Sequence, residues 1–388
     1  MFQDKLGFYT CGQQQFTSKV DALLYAQATG SKVDWVFHDH VYSQHVWEQE
    51  PTASMDALYD ARSRELREKY DYIVLSFSGG ADTNNILESF IRQGLHIDEI
   101  VTNHMGKATS GTTVLDPNIK SNWNFAAEHE LQAVPRLQYI YDKLPRTKIT
   151  VLDVSDVVVD SMKTMFTDVD WVLHRNDHLS VGQLFRYNYF YFSELKKKFD
   201  KNLRVGIIVG ADKPKTYIDA NSDFWVAFTD INVNITTIND FNSDYTNVAT
   251  ELFYWGNSTA PLVCKQAHVI KRWLENNPRY QPVWKSKKFS VARLVQERIL
   301  RNLLYTTWND SWYQADKSTA WWYTEFDTWF HQRADLKHEQ QLWKSGIDYL
   351  AQKLKNSDNL ILGADENPVS FRTFTKQYKI GKLKDNAI

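Results

Sequence analysis

The clearest pattern of apolar and polar positions lies between residues 71 and 102. Asp71–Ser76 is a short apolar run, typical of a buried parallel strand, and it ends at a cluster of serine and glycine. Apolar positions then recur at helical spacing, and Gly94 is placed to end that helix. A second apolar run, Ile97–Thr102, follows. This pattern predicts a βαβ unit with a right-handed crossover. The helical positions are Ile86, Leu87, Phe90 and Ile91.

Strand and helix patterns continue to alternate up to about residue 230. Lys148–Val154 and Arg204–Val209 have the composition of strands, whereas the aromatic-rich stretch Leu179–Lys198 has that of a helix. Strands that alternate with helices are typical of an α/β fold, so we predict a doubly wound parallel sheet.

The two ends of the chain show other patterns. A charged amphipathic helix is predicted over Ser54–Tyr70. It follows an irregular N-terminal layer with short extended patterns, such as Val33–Phe37. Beyond about residue 245 helical patterns dominate, and Pro261 is placed at the start of a helix that Asn276 and the two residues after it end.

These patterns divide the chain into three predicted parts. Residues 1–70 form an N-terminal layer and helix, residues 71–245 an α/β domain, and residues 246–388 a mainly helical C-terminal lobe.

The composition of the chain limits the kinds of partner that the protein is expected to bind. The 388 residues carry a formal net charge of -2, so no global attraction to nucleic acid or anionic lipid is expected. The two cysteines, Cys11 and Cys264, have no metal-ligand spacing, and no long apolar run or signal peptide is visible. We expect a cytoplasmic protein that does not enter a membrane. The high aromatic content, 14%, fits core packing, with base stacking as the alternative.

The segment Ser78-Gly79-Gly80-Ala81-Asp82-Thr83 carries the predicted chemistry, because it joins the first strand to its helix. Such a corner directs unpaired N–H groups and the positive helix end at one small concavity, which suits an oxyanion. The two glycines allow a phosphate to approach closely, and Ser76, Ser78 and Thr83 can add hydroxyl donors. Asp82 is predicted to hold Mg²⁺ against the phosphate oxygens. Neither the Walker A nor the dinucleotide-binding glycine pattern occurs.

This segment resembles the motif Ser-Gly-Gly-x-Asp-Ser of the PP-loop, or N-type ATP pyrophosphatase, superfamily. Ser78, Gly79, Gly80 and Asp82 match the motif, and Thr83 keeps the hydroxyl group of its last serine. The resemblance implies a HUP-like, adenine nucleotide alpha hydrolase-like fold that binds ATP and Mg²⁺. Ser76 to Gly80 also looks like the phosphosulfate reductase branch. That branch normally has lysine where Ala81 stands and a reactive cysteine motif that this chain lacks, so reduction is disfavoured.

A wider stretch is similar to uncharacterised, often phage-encoded, proteins labelled asparagine-synthetase-like. The similarity implies an amide-forming ligase, located in the host cytoplasm if the protein is phage-encoded. No N-terminal cysteine nucleophile follows Met1, so ammonia, an amine or a partner would supply nitrogen. The similar segments are residues 58–62, 69–73, 210–215 and 265–268.

A second polar corner follows the strand Arg204–Val209. In a parallel sheet its loop lies on the same edge as the first loop. Lys213 or Lys215 could neutralise charge on the phosphates, and Asp212 could assist the metal, with Gly210 beside the nucleotide. An ordinary solvated loop is the alternative.

Histidines mark three further candidates. Asn103 and His104, at the end of the second strand, are placed to recognise adenosine, and the charged loop His174–His178 could bind substrate. His38 and His40 would share one face of a strand, where they and His45 could bind metal, although surface or hydrogen-bonding roles are favoured.

The leading functional prediction is an enzyme that adenylates a carbonyl or carboxylate oxygen and releases pyrophosphate. One alternative is modification of a nucleobase in tRNA or DNA, with Lys271 and Arg272 contacting the strand. Another is a nucleotide-binding protein without catalysis. The sequence leaves the acceptor substrate and the oligomeric state open.

Overall fold

The computed structural model describes residues 7–104, 106, 129–156, 160, 162–163, 166, 168–174, 202–210, 213–230, 247–285, 289–312, 330–354, 360–362, 368–371 and 373–384. In these residues the strands are β1 Phe8–Cys11, β2 Gln14–Phe16, β3 Val33–Val36, β4 Tyr72–Ser76, β5 Glu99–His104, β6 Lys148–Asp153, β7 Val205–Val209, β8 Lys215–Ile218, β9 Asp223–Ala227, β10 Val248–Leu252, β11 Leu360–Leu362, β12 Pro368–Phe371 and β13 Tyr378–Lys382.

The α-helices of the same residues are α1 Lys19–Thr29, α2 Asp39–Tyr42, α3 Met55–Lys69, α4 Ala81–Arg92, α5 Val134–Lys143, α6 Ala260–Asn276, α7 Gln281–Lys285, α8 Phe289–Leu304 and α9 Lys337–Lys353. A π-helical turn, His129–Ala133, leads directly into α5.

A five-stranded sheet, all parallel, forms the centre of the fold, with the strand order β10-β7-β4-β5-β6. The chain runs outward from β4 through β5 to β6 and then returns to the other side of β4 for β7 and β10. The α/β class is confirmed, and this order is compatible with a doubly wound fold. Strand order reverses between β4 and β7, where Ser76 is paired with Val209. Such a switch point opens a crevice at the carboxyl ends of the two strands.

Alternate residues of the central strands enter two separate cores. Ile73 and Leu75 of β4 belong to the larger core, which also contains Leu66 of α3 and Ile86 of α4. Val74 points to the opposite face, because successive side chains alternate along a strand. The sheet is therefore buried on both faces, as a parallel sheet requires. The second core comprises Val74, Val101, Val205, Ile207 and Val248.

The N-terminal segment contains a regular sheet where the sequence predicts an irregular layer. Strands β2, β1 and β3 form an antiparallel sheet in the order β2-β1-β3. Gly12, with φ 59°, makes the tight turn that pairs Cys11 with Gln14. The predicted strand Val33–Phe37 is confirmed as β3. The predicted helix Ser54–Tyr70 is confirmed as α3, and the Ser54 hydroxyl accepts a 3.2 Å hydrogen bond from the Ala57 N–H.

Strands also occur where helical patterns dominate the sequence. Strand β10 lies beyond residue 245 and completes the parallel sheet beside β7. Strand β13, near the end of the chain, pairs antiparallel with β9 in a sheet ordered β13-β9-β8. The helix predicted from Pro261 is confirmed as α6, with the proline in its first turn. The helix predicted over Leu179–Lys198 lies outside the described residues.

Candidate functional site

The loop between β4 and α4 is shaped by one glycine. Gly79 has φ +74°, and a Cβ atom placed on it would lie 2.5 Å from the main-chain nitrogen of Ala133 and 2.5 Å from the carbonyl carbon of Gln132. Neither main-chain atom can move aside as the end of a flexible side chain could. The loop therefore needs glycine for its backbone torsion and for its contact with the π-helical turn.

Short polar side chains of the loop hold its conformation. The Ser78 hydroxyl accepts a 3.3 Å hydrogen bond from the Gly80 N–H, and the Thr83 hydroxyl donates to the Gly80 carbonyl at 3.2 Å. Gly80 precedes the first residue of α4 and supplies no capping side chain. The first N–H groups of α4 therefore receive no hydrogen bond from a capping side chain of Gly80. They can donate to an oxygen atom of a ligand instead.

Asn84, which the sequence analysis did not single out, fixes the loop from inside. Its amide donates to the carbonyl oxygens of Gly79 and Gly80 at 2.5 and 3.1 Å. Its own oxygen accepts a 2.9 Å hydrogen bond from Arg136 Nε, on α5. The Arg136 guanidinium also lies 3.9 Å from the centre of the Trp312 ring, a cation–π contact. A buried network thus joins the loop to the C-terminal part of the chain.

Asp82 and Lys213 meet across the switch point of the sheet. The Lys213 ammonium lies 3.1 Å from each carboxylate oxygen of Asp82. It also lies 3.2 Å from Glu297 Oε2, on α8, and only 5% of the Lys213 side chain is exposed. Three formally charged groups from distant parts of the sequence therefore meet at one site, where the lysine is buried and the two carboxylates are partly exposed. Their formal charges add to a net negative charge, because two carboxylates face one ammonium.

Two buried tyrosines hold Asp82 from different sides. The Tyr305 hydroxyl donates to Asp82 Oδ1, and the Tyr254 hydroxyl donates to the main-chain oxygen of Asp82 at 2.8 Å. Burial, followed by the charge of Asp82, raises the pKa of both hydroxyl groups well above the usual value. Both tyrosines are consequently protonated at neutral pH and serve as hydrogen-bond donors.

The second polar corner contacts the first. A Cβ atom on Gly210 would lie 2.9 Å from Thr83 Cγ2, so the two loops pack closely. Lys213 is brought to Asp82, whereas Lys215 begins β8 and is paired with Ala227 of β9. Asp212, the second predicted metal ligand, lies outside the described residues.

The other residues predicted to contact the nucleotide line the same edge. Ser76 ends β4, and Ala81 is the first residue of α4. Asn103 and His104 end β5, as predicted.

His104 stacks on a histidine that sequence reasoning missed. The His104 and His129 rings lie 4.6 Å apart at 23°. His104 Nδ1 accepts a 3.1 Å hydrogen bond from the Gly106 N–H. Burial, followed by the neighbouring charge of His104, lowers the pKa of His129 to about 4 despite the opposing effect of Asp153. His129 is therefore neutral at physiological pH.

The π-helical turn also contains Gln132, a fully buried residue. Neither atom of its side-chain amide has a hydrogen-bond partner among the described residues. Its main chain forms part of the wall against Gly79. Apart from the apolar residues beside it, nothing in the sequence predicts that Gln132 is buried against the loop.

The histidine cluster near residue 40 does not have the predicted geometry. Strand β3 ends at Val36, and His38 adopts φ 54° before the short helix α2, so His38 and His40 do not alternate on a strand. Burial, followed by His40, lowers the pKa of His38 to about 4. No group of three or more His, Cys, Asp or Glu side chains suited to a metal occurs in the described ranges. The loop His174–His178 lies, after its first residue, outside those ranges.

No known protein family matches the chain, and no curated protein is similar enough in sequence to count as a relative. In the part of the chain that the structure describes, no helix combines the length and apolar character needed to cross a membrane.

Proposed function

We propose that the chain is an ATP-dependent enzyme of the PP-loop type, which adenylates a substrate oxygen and releases pyrophosphate. The observation that carries the proposal is the pairing of Asp82 and Lys213 at the switch point, beside an uncapped helix N-terminus. In an open α/β sheet this position is where ligands bind. The HUP-like form of the fold belongs to the same proposal.

The residues at this edge fit a triphosphate. The N–H groups around Gly80 and the positive end of α4 favour anionic oxygens. Lys213 supplies a positive charge that is nearly excluded from water, where its interaction with phosphate is strong. Mg²⁺ normally takes only one or two protein carboxylates besides phosphate oxygens, and Asp82 is the first candidate. The bound metal would supply further neutralisation of phosphate charge.

The proposed reaction has two steps. A carboxylate or carbonyl oxygen of the substrate attacks the α-phosphorus, a new P–O bond forms, and the bond to the β-phosphate breaks. Pyrophosphate leaves with the electron pair and is stabilised by the loop of residues 78–83 and by Lys213. A nitrogen nucleophile then attacks the activated carbon, loses a proton to solvent and displaces AMP. An amide-forming ligase is the proposed subtype.

In this scheme the rate comes from holding the reactants in the correct position and orientation, and no acid–base residue is needed. Tyr254 and Tyr305 keep their protons and fix Asp82. Lys213 is the residue that faces developing negative charge. Lys215, at the start of β8, stays the predicted alternative to Lys213 as the source of positive charge.

Asp82→Asn tests the function directly. The protein is incubated with α-labelled ATP, Mg²⁺ and a fractionated cell extract, and AMP is separated from ADP. We expect AMP and pyrophosphate from the wild type. In the variant the rate of AMP formation should fall roughly a hundredfold, which is the usual effect of removing one group that stabilises charge in the transition state. Asp21→Asn is the matched control, since Asp21 lies in the first turn of α1. ADP as the product, or equal AMP formation by Asp82→Asn, would refute the proposal.

Nucleobase modification is kept as the second candidate, because Lys271 and Arg272 lie next to each other on α6. Each is already bound to a glutamate, Glu275 at 2.7 Å and Glu50 respectively, which reduces the charge available to a phosphate backbone. Oligonucleotide binding that weakens steeply with salt would favour this candidate. Binding of ATP without turnover would favour the non-catalytic alternative.

A further inference from the structure

Two peptide units of the loop between β4 and α4 are held by one side chain. The Asn84 amide donates to the carbonyl oxygens of Gly79 and Gly80 at 2.5 and 3.1 Å. A trans peptide unit is planar, so its carbonyl and its N–H point in opposite directions. The two carbonyls that face Asn84 therefore direct the N–H groups of Gly80 and Ala81 to the other side of the loop. On that side the Gly80 N–H meets the Ser78 hydroxyl at 3.3 Å, a length at the weak end of the range.

Asn84 prevents these peptide units from turning over. The first unit has glycine at both ends, Gly79 and Gly80, and glycine accepts backbone torsions that other residues avoid. A turned unit would present its carbonyl oxygen to an anion and repel it. Asn84 opposes the turn because it is only 1% exposed, and a hydrogen bond that is lost in a buried place is costly. The side chain thus stabilises the orientation in which the loop can donate to an anion.

Arg136 decides which end of the Asn84 amide faces the loop. An amide can turn either its oxygen or its NH₂ group towards a neighbour, whereas a guanidinium only donates. Arg136 Nε lies 2.9 Å from Asn84 Oδ1, so the NH₂ group is left for the two carbonyls. The guanidinium is itself held in place, because it donates to Glu88 at 2.8 Å and lies 4.0 Å from the centre of the Tyr139 ring.

These hydrogen bonds have one direction, from Arg136 through Asn84 to the carbonyls of the loop. From this arrangement we infer that Asn84 and Arg136 are positioning residues for the pyrophosphate group of the nucleotide. They orient the loop so that its N–H groups, and not its carbonyl oxygens, meet the phosphate oxygens. Both act through the loop and need no contact with the nucleotide. The inference rests on the proposed function.

The first test compares two neighbouring asparagines, with inorganic pyrophosphate and Mg²⁺ as the probe and calorimetry as the measurement. Asn84→Asp keeps the shape of the side chain and still accepts from Arg136, but an ionised carboxylate cannot donate to the loop carbonyls. Asn85→Asp is the matched control. It adds the same charge one position further along α4, where the Asn85 amide donates to the Tyr254 hydroxyl and not to the loop. The Kd of Asn84→Asp should exceed that of Asn85→Asp roughly tenfold, the scale of one buried hydrogen bond. Equal Kd values would overturn the inference.

The second test compares two substitutions of Arg136 that remove the same charge. The Nε2 atom of a glutamine occupies the same place along the side chain as the Nε atom of arginine, so Arg136→Gln can still donate to Asn84. Arg136→Met has no donor there. The Kd of Arg136→Met for pyrophosphate should therefore be roughly fivefold higher than that of Arg136→Gln, again the scale of one hydrogen bond. Equal Kd values in this pair would overturn the role of Arg136.

Urea unfolding of the four variants separates positioning from simple stabilisation. A residue that only stabilises the fold would lower the free energy of unfolding without separating the Kd values within either pair. These measurements need neither an acceptor nor turnover, so they can fail while the Asp82-dependent AMP assay succeeds, and the reverse. A wild-type protein that bound no pyrophosphate would also overturn the inference, because the loop would then not be an anion site.

Discussion

Tyr254, two residues beyond β10, donates a 2.8 Å hydrogen bond to the main-chain oxygen of Asp82 at the head of α4. The same hydroxyl accepts a 3.0 Å hydrogen bond from Asn85 Nδ2. The outermost strand on one side of the sheet is thereby joined to the loop of residues 78–83. This connection explains how a residue 172 positions away can keep the loop in place.

Tyr254→Phe should lower the free energy of unfolding by about 1–2 kcal/mol, because it removes both hydrogen bonds of the buried hydroxyl group. Urea denaturation measures the change. Tyr217→Phe is the control, since its hydroxyl binds Gln377 at an exposed position and its loss should have an effect below about 0.5 kcal/mol. Equal losses of unfolding free energy in the two variants would show that the hydrogen bonds of Tyr254 stabilise the protein no more than an exposed hydrogen bond does.

Gly79→Ala should destabilise the protein by several times more than Gly94→Ala. Both glycines have positive φ, +74° and +61°, so both changes strain the backbone. Only the first also places a Cβ atom 2.5 Å from main-chain atoms, whereas nothing lies within 4 Å at Gly94. We expect a loss of about 1 kcal/mol at Gly94 and about 3 kcal/mol or more at Gly79. Similar losses in thermal or urea unfolding would argue against the close contact with the π-helical turn.

Gln132→Leu and Gln266→Leu should have opposite effects on stability. Both side chains are fully buried. Gln132 has no partner for either amide atom among the described residues, whereas Gln266 donates a 3.0 Å hydrogen bond to the Tyr59 hydroxyl. Replacement of an unsatisfied amide by an apolar group should raise the free energy of unfolding of the first variant by about 1 kcal/mol, and loss of the bond should lower that of the second. A destabilised Gln132→Leu would point to an ordered water on the amide.

The pH dependence of stability should decrease in His129→Phe. The pKa of His129 is lowered to about 4 in the folded protein, so the unfolded chain takes up the proton first as the pH falls. The contribution of the neutral histidine is complete above the unfolded pKa, near 6.5, and is lost as the pH falls towards 4. The difference in unfolding free energy between pH 7 and pH 5 should shrink by about 1 kcal/mol in the variant. An unchanged difference would show that folding does not lower the pKa of His129.

The central sheet was predictable because its strands are buried on both faces. Val205–Val209 and Tyr72–Ser76 are nearly continuous apolar runs, and the glycine pair marks the turn after the second of them. The N-terminal sheet was missed because β2 is only Gln14–Phe16, a short polar strand that carries little periodicity. Strand β13, whose five residues include two lysines and a glycine, is recognised only by the strand it pairs with.

The site was only partly predictable for a related reason. Asp82 and Lys213 follow apolar strands of one sheet, so their shared edge follows from topology. Glu297 and Tyr305 belong to a helical segment whose pattern indicates a buried face but not the element it covers. Tertiary packing decides which helix reaches the loop. The local pattern of apolar residues in a single sequence does not reveal such long-range contacts.

The residues that hold Asp82 lie far along the chain, and this has a consequence for synthesis on the ribosome. Tyr305 lies 223 residues after Asp82, and β13 joins β9 from still farther along the chain. Domains usually fold as they emerge, and pairings between distant segments form slowly. The nascent chain therefore carries the loop of residues 78–83 for most of its translation without the side chains that hold Asp82, and the proposed nucleotide binding should arise only after residue 305 has left the exit tunnel.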